Sequence, residues 1–187
     1  MMKVTVGVSA RHVHLTKEVY EKLFDEELEK IRDLDQPGQF AAKQMVDIKV
    51  GDKVLKRLRI VGPLRSYNQV ELSRTDCFFL GVNPPVRTSG DIEGSVPVTI
   101  IGPKGSVALN KGLIIANRHI HITPLEMEEY GFSGLEKVSV KVGGEKGGIL
   151  DNVYFKVAEN SGYRLHLDTD DANAFDLKDN DEVEIIR

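Results

Sequence analysis

The chain has no tryptophan, a single cysteine and only 6% aromatic residues in a length of 187. With so few flat side chains, a platform that stacks nucleic-acid bases is not expected. Cys77 has no second thiol to pair with, which excludes an internal disulfide and fits a reducing cytoplasm. It sits in Asp-Cys-Phe-Phe-Leu, an apolar setting that suits a buried thiol better than a reactive one. No apolar run approaches the roughly 20 residues that a membrane-spanning helix needs. The opening MMKVTVGVSA is too short and too polar for a signal peptide and reads as a first strand. Blocks of like charge are missing as well: 25 basic against 29 acidic residues leave a formal charge of −4. That balance gives no basic face for a phosphate backbone, so neither a nucleic acid nor a membrane is expected as partner. Walker, Rossmann and Gly-x-Ser-x-Gly loops are absent, and GGEKGG at 143–148 reads as a hairpin because no helix follows it.

What the chain does have is 41% hydrophobic residues arranged in short runs. Alternating or β-branched stretches at 4–8, 45–50, 54–61, 69–72, 96–101, 107–109, 113–116, 138–142, 153–157, 164–167 and 182–186 predict strands. Turn signals such as Gly51-Asp52, Gly62-Pro63, Pro84-Pro85 and Gly102-Pro103 separate them. Many short strands with frequent turns indicate barrels or sandwiches. Helices are few. Apolar spacing through Val19, Leu23, Leu28 and Ile31 predicts one over 17–31. Thr123-Pro124-Leu125-Glu126 carries a capping box with proline at the first helical position, and Gly131 stops that helix.

The chain has five histidines, and four of them lie in two copies of one pattern, SARHVHLT at 9–16 and ANRHIHIT at 116–123. A second pair of matched stretches, VELSRTDCFFLG from 70 and LHLDTDDANAFDL from 165, sets Glu71 opposite the fifth histidine, His166. Two matched stretches in the same order indicate an internal duplication. On a strand, residues i and i+2 share a face with Cα atoms roughly 6.5–7 Å apart. Two imidazoles so placed can converge on one ion at about 2.0–2.1 Å. The arrangement expected is one ion on His12, His14 and Glu71 and a second on His119, His121 and His166. Three protein ligands leave a coordination position open, as in catalytic zinc sites, although two histidines with a carboxylate also suit iron. Arg11 and Arg118, one residue ahead of each pair, are expected to face away from the ions. RLRIVGPLR at 57–65 brings Arg59 and Arg65 close to the Glu71 strand, where a guanidinium can hold phosphate by two hydrogen bonds.

The ordered motifs S-x-R-H-V-H-L, Q-P-G-Q-F, G-P-x-R…Q-V-E-L-S, P-P-V-R-x-S-G, N-R-H-I-H-I-T and L-H-L-D-T-D-x-A-N-A closely resemble the PduL-type phosphate acyltransferases. This family of phosphate propanoyltransferases interconverts acyl-CoA and acyl phosphate, and the likeness runs from about Val4 to Arg187. It implies a mainly β fold with a few short helices: two small β-barrels related by the duplication, with a dinuclear zinc site between them. The first barrel would take residues 1–10 and 114–187, and the second 11–113 with the 17–31 helix. The resemblance gives the same two ligand sets, one zinc open to the CoA sulfur and the other completed by water. It assigns phosphate to Arg65 and CoA contacts to Ser9, Arg59 and Asn173, and it puts Gln39 in the site without a role. A homodimer is implied. The N-terminal extension that directs some members into microcompartments is not seen, which points to a cytoplasmic enzyme of acetate metabolism or propanediol degradation. Phosphate, acyl phosphate, CoA and acyl-CoA are then the partners, with acetyl or propanoyl as the acyl group. Two other readings use the same ligands: a zinc-dependent hydrolase of a phosphoester or amide, and a metal-binding barrel without catalysis.

Overall fold

In the computed structural model, residues 2–186 are described. The first half runs through β1 (Met2–Ser9), β2 (His12–His14), α1 (Lys17–Leu23), β3 (Lys30–Asp33), β4 (Phe40–Val50), β5 (Lys53–Gly62), β6 (Gln69–Glu71), α2 (Arg74–Leu80), β7 (Val86–Arg87) and β8 (Val96–Gly102). The second follows with β9 (Gly105–Ala116), β10 (His119–Ile122), α3 (Pro124–Glu129), β11 (Lys137–Val142), β12 (Gly148–Val157), β13 (Arg164–Asp168), α4 (Thr169–Ala174) and β14 (Glu182–Ile186).

The strands close into two rings of six. One is β1-β13-β10-β12-β11-β14, closed by the pairing of β14 with β1. The other is β9-β6-β2-β5-β4-β8, closed because β8 pairs with both β4 and β9. Taken in these orders the pairings have the same senses: parallel, antiparallel, parallel, then three antiparallel. The duplication is therefore legible in the hydrogen bonding, strand for strand. Closure leaves neither ring with an open edge.

The division into compact units follows the rings. One unit is Met1–Ser9, Asp35–Pro37 and Asn117–Arg187, of which Met1 and Arg187 lie outside the described residues; the other is Ala10–Leu34 and Gly38–Ala116. Each repeat thus gives its first strand to the ring that the other repeat builds. β1 is followed after two residues by β2 of the second ring, and β9 likewise by β10 of the first.

Period-two alternation sorts each wall into a core face and an outer face. Val13, Ile60 and Val70 enter one core, and Val6, Ile120, Leu165 and Leu167 the other. The residues between them, His12 and His14 around Val13, and His119 and His121 around Ile120, point to the outer face. Helix starts follow the polar residues after those strands. Thr16, Ser73, Thr123 and Asp168 each cap by accepting from the amide three residues on, and Thr123 with Glu126 completes a capping box.

The expected helix over 17–31 is corrected: α1 stops at Leu23 and residues 30–33 form a strand instead. Phe24 turns extended (φ −136°, ψ 147°), buries its ring, and stacks on Tyr20 at 4.8 Å. The carbonyl of Leu23 accepts from the amide of Lys104, ending the helical ladder. Asp25, Glu26 and Glu27 follow at the negative end of the helix dipole, where acidic side chains are unfavourable. The apolar stretches 107–109 and 113–116 join in the single long strand β9.

Candidate functional site

Each ligand set comes from two paired strands of one ring, β2 with β6 and β10 with β13. β2 lies between β5 and β6, and its antiparallel register places His12 opposite Glu71 and His14 opposite Gln69. β10 lies between β12 and β13, with His119 opposite His166 and His121 opposite Arg164. Glu71 and His166, paired by the sequence repeat, thus hold equivalent register positions. The structure brings His12, His14 and Glu71 together, and separately His119, His121 and His166, with ligand atoms in each group within 4.8 Å of one another.

The donors are turned inward by their other hydrogen bonds. His12 Nδ1 lies 2.9 Å from the Ala10 carbonyl oxygen, and His119 Nδ1 lies 2.8 Å from that of Asn117. A carbonyl can only accept, so these Nδ1 atoms carry the proton and each Nε2 offers a lone pair. His14 Nδ1 meets the Val61 carbonyl at 3.2 Å in the same way. In the first set, Glu71 Oε2 is 3.5 Å from His12 Nε2, and Oε1 is 3.7 Å from His14 Nε2. In the second, the Nε2 atoms of His119 and His121 are 3.1 Å apart. Two ligands about 2.1 Å from a tetrahedral ion stand about 3.4 Å apart, so these separations fit a shared zinc.

Burial adds to ligand character. His14, 3% exposed, has its pKa pushed down from 6.5 to about 3, first by desolvation and then by the neighbouring His12. The Arg65 guanidinium pushes the same way, and only Glu71 and the Val61 hydrogen bond oppose it. A histidine held neutral keeps its lone pair for a cation at every pH near neutrality.

Arg65 is fixed by its backbone and its side chain. Its amide donates to the Leu15 carbonyl at 2.8 Å, and its guanidinium donates to the Tyr67 hydroxyl at 3.1 Å. Arg59, whose register partner is His12, donates from Nη1 to the carbonyls of Ala42 and Lys43. Gln39 belongs with Arg59 and Arg65 to the second unit, and its carbonyl accepts from Leu34 N. Ser9 and Asn173 belong to the first unit: Ser9 ends β1 opposite Asp168, and Asn173 lies on α4. Cys77 is fully buried in the core of the second ring.

Arg11 and Arg118 turn from the histidines to equivalent acids. Arg11 donates to Asp76 at 2.6 Å, and Arg118 grips Asp171 through two bonds of 2.9 and 2.7 Å. Each pair ties the start of a His-x-His strand to the helix that follows the third ligand's strand. Sequence reasoning missed Asp76 and Asp171, although both fall at one column of the repeat. It also passed over Gln69 and Ser89, which hydrogen-bond Glu71, and Gly7, whose lack of a side chain makes room for the His166 ring.

The family model described as phosphate propanoyltransferase matches residues 5–178. The chain belongs to the phosphate propanoyltransferase family. Its relatives include phosphate propanoyltransferases of Thermotoga maritima, 49% identical over 98% of this chain and 89% of theirs, and of Rhodopseudomonas palustris, 43% identical over 99% and 83%. Another, from Citrobacter freundii, is 45% identical over 91% of this chain and 82% of its own length. As a phosphate propanoyltransferase family member the chain is an acyltransferase, and no helix among its described residues is long and apolar enough to cross a membrane.

Proposed function

We propose that the chain transfers a short acyl group, acetyl or propanoyl, between coenzyme A and inorganic phosphate, using one zinc ion on His12, His14 and Glu71 and a second on His119, His121 and His166. The observation that carries this reading is the repeated ligand set: equivalent strand positions in both rings each converge three donors, in a family named for phosphate acyl transfer.

In the reaction a phosphate oxygen attacks the thioester carbonyl carbon, the carbon–sulfur bond breaks, and the electron pair leaves with the CoA sulfur. Bound zinc supplies Lewis acidity, which lowers the cost of negative charge on oxygen and sulfur. Arg65 holds phosphate through its planar fork, and the Tyr67 hydroxyl keeps that fork from wandering. Ser9, Arg59 and Asn173 contact CoA; two carbonyls occupy only part of the donor capacity of Arg59, because a guanidinium has five N–H groups. Gln39 is counted with the site. Direct attack needs no nucleophilic side chain, and Cys77, sealed in the core, offers none.

The test measures CoA release from acetyl-, propanoyl- and butanoyl-CoA, with and without phosphate, before and after chelation. The expected result is release that requires phosphate, yields acyl phosphate, and stops when metal is removed. Release without phosphate replaces transfer by hydrolysis, and full activity in the chelated protein removes the ions from the scheme.

A further inference from the structure

We infer that Ser89 and Gln69 are positioning residues that favour one oxygen of Glu71 as the metal ligand by engaging the other in hydrogen bonds. The inference rests on the reading that His12, His14 and Glu71 bind an ion, and it adds how the carboxylate binds.

Glu71 Oε1 accepts two hydrogen bonds, from Gln69 Nε2 at 2.6 Å and from Ser89 Oγ at 2.7 Å. Gln69 Nε2 also lies 2.9 Å from Ser89 Oγ, which closes the three side chains into one cluster. The amide of Gln69 cannot flip, because its Oε1 accepts from the backbone amide of Gly90 at 2.8 Å. Gln69 is fully buried, so water cannot take over either bond. Two short bonds withdraw charge from Oε1 and fix the carboxylate plane. Each oxygen faces one histidine, Oε2 at 3.5 Å from His12 Nε2 and Oε1 at 3.7 Å from His14 Nε2, and the two short bonds on Oε1 make Oε2 the better ligand atom. A carboxylate held this way binds through one oxygen and leaves room at the ion for a substrate atom.

The other ring supplies the control. The register position of Gln69, opposite His14, is taken there by Arg164, opposite His121. Arg164 is committed to Asp35, Asp179 and Asn180. His166 has one ring nitrogen to offer and no second donor atom to restrain. The clamp therefore accompanies the carboxylate, the one ligand with two ways to bind.

The experiment compares cobalt(II)-loaded full-length wild type with Ser89→Ala and Ser89→Thr, reading chelator competition, metal per chain and visible absorption. Ser89→Ala is expected to bind the cobalt lost on His12→Ala about 10–100-fold more weakly. Its absorption should weaken as Oε1, held by Gln69 alone, approaches the ion and raises the coordination number, while Ser89→Thr keeps wild-type affinity and spectrum. Wild-type affinity and spectrum in Ser89→Ala overturn the clamp, and so does an equal loss in Ser89→Thr, which would mark packing. Where Ser89→Ala does not fold, Ser89→Cys, of similar size but a poor donor, carries the same expectations. If His12→Ala loses no cobalt, the metal reading itself has failed, and the clamp with it.

Discussion

Gly7→Ala is the sharpest perturbation the fold offers, because one added methyl reaches the His166 ring without touching its chemistry. Gly7 pairs with His166 across the parallel β1–β13 ladder. A Cβ there would stand 2.7 Å from Arg164 Nε and 3.0 Å from His166 Cδ2. Carbon atoms rest at about 3.5 Å or more, so the imidazole must retreat by about 0.5 Å and the guanidinium by about 0.8 Å. Arg164 cannot swing freely, since Asp35, Asp179 and Asn180 hold it. The ring therefore absorbs much of the shift. Overpacking of this kind costs about 1–3 kcal/mol, and for a chain of this length each kcal/mol lowers Tm by about 2–4 °C. Thermal melts and metal analysis should give a melting point lower by several degrees and a preferential loss of metal from the His119–His121–His166 set. The other ring accommodates Ile114 at the matching place beside Glu71, so the constraint comes from the imidazole and not from the fold. A Gly7→Ala protein with unchanged Tm and unchanged metal content would refute the argument.

Arg65→Ala should raise KM for phosphate by 10-fold or more, about 1.4 kcal/mol of lost binding, with metal content unchanged; a selective rise in KM for the acyl-CoA would move Arg65 to the other substrate. For the metal-stripped protein, the pKa of His14 falls from 6.5 to about 3 on folding, so the unfolded chain takes up the proton first. The stabilisation is whole above pH 6.5 and is lost progressively as the pH falls toward 3. Urea midpoints of wild type against His14→Asn should converge across that window, and a gap that widens on acidification would contradict it. Thr123→Ala removes the hydroxyl half of the capping box on α3, leaves the Thr123 amide bonded to Glu126, and should cost about 1 kcal/mol, read as a lower denaturant midpoint at unchanged m.

Local chemistry made a good part of this protein readable in one dimension. Strands announced themselves by alternation because one side chain in two enters a core, as Val13 and Ile120 do between their histidines. Helix starts were visible at Thr16 and Thr123, since capping is a contact across three residues. The helix end at Leu23 was not, because the amide that takes its carbonyl belongs to Lys104, far along the chain. The acids at 25–27 were the available warning. Ser89 had no sequence signal as a partner of Glu71, for their contact depends on where the segment after β7 returns to β6.

The sequence by itself determined the mainly β architecture, the duplication and the grouping of the five histidines with Glu71, because periodicity and residue type need no knowledge of distant neighbours. Tertiary pairing, not local pattern, places β1 and β9 each in the ring of the other half, an exchange that the family resemblance had implied for the first strand alone. The tertiary structure alone set which oxygen of Glu71 is tied up by Gln69 and Ser89, and which glycine yields space to His166. Those facts depend on ring closure, which joins residues far apart in sequence through register, and register is fixed by which faces two separate cores bury.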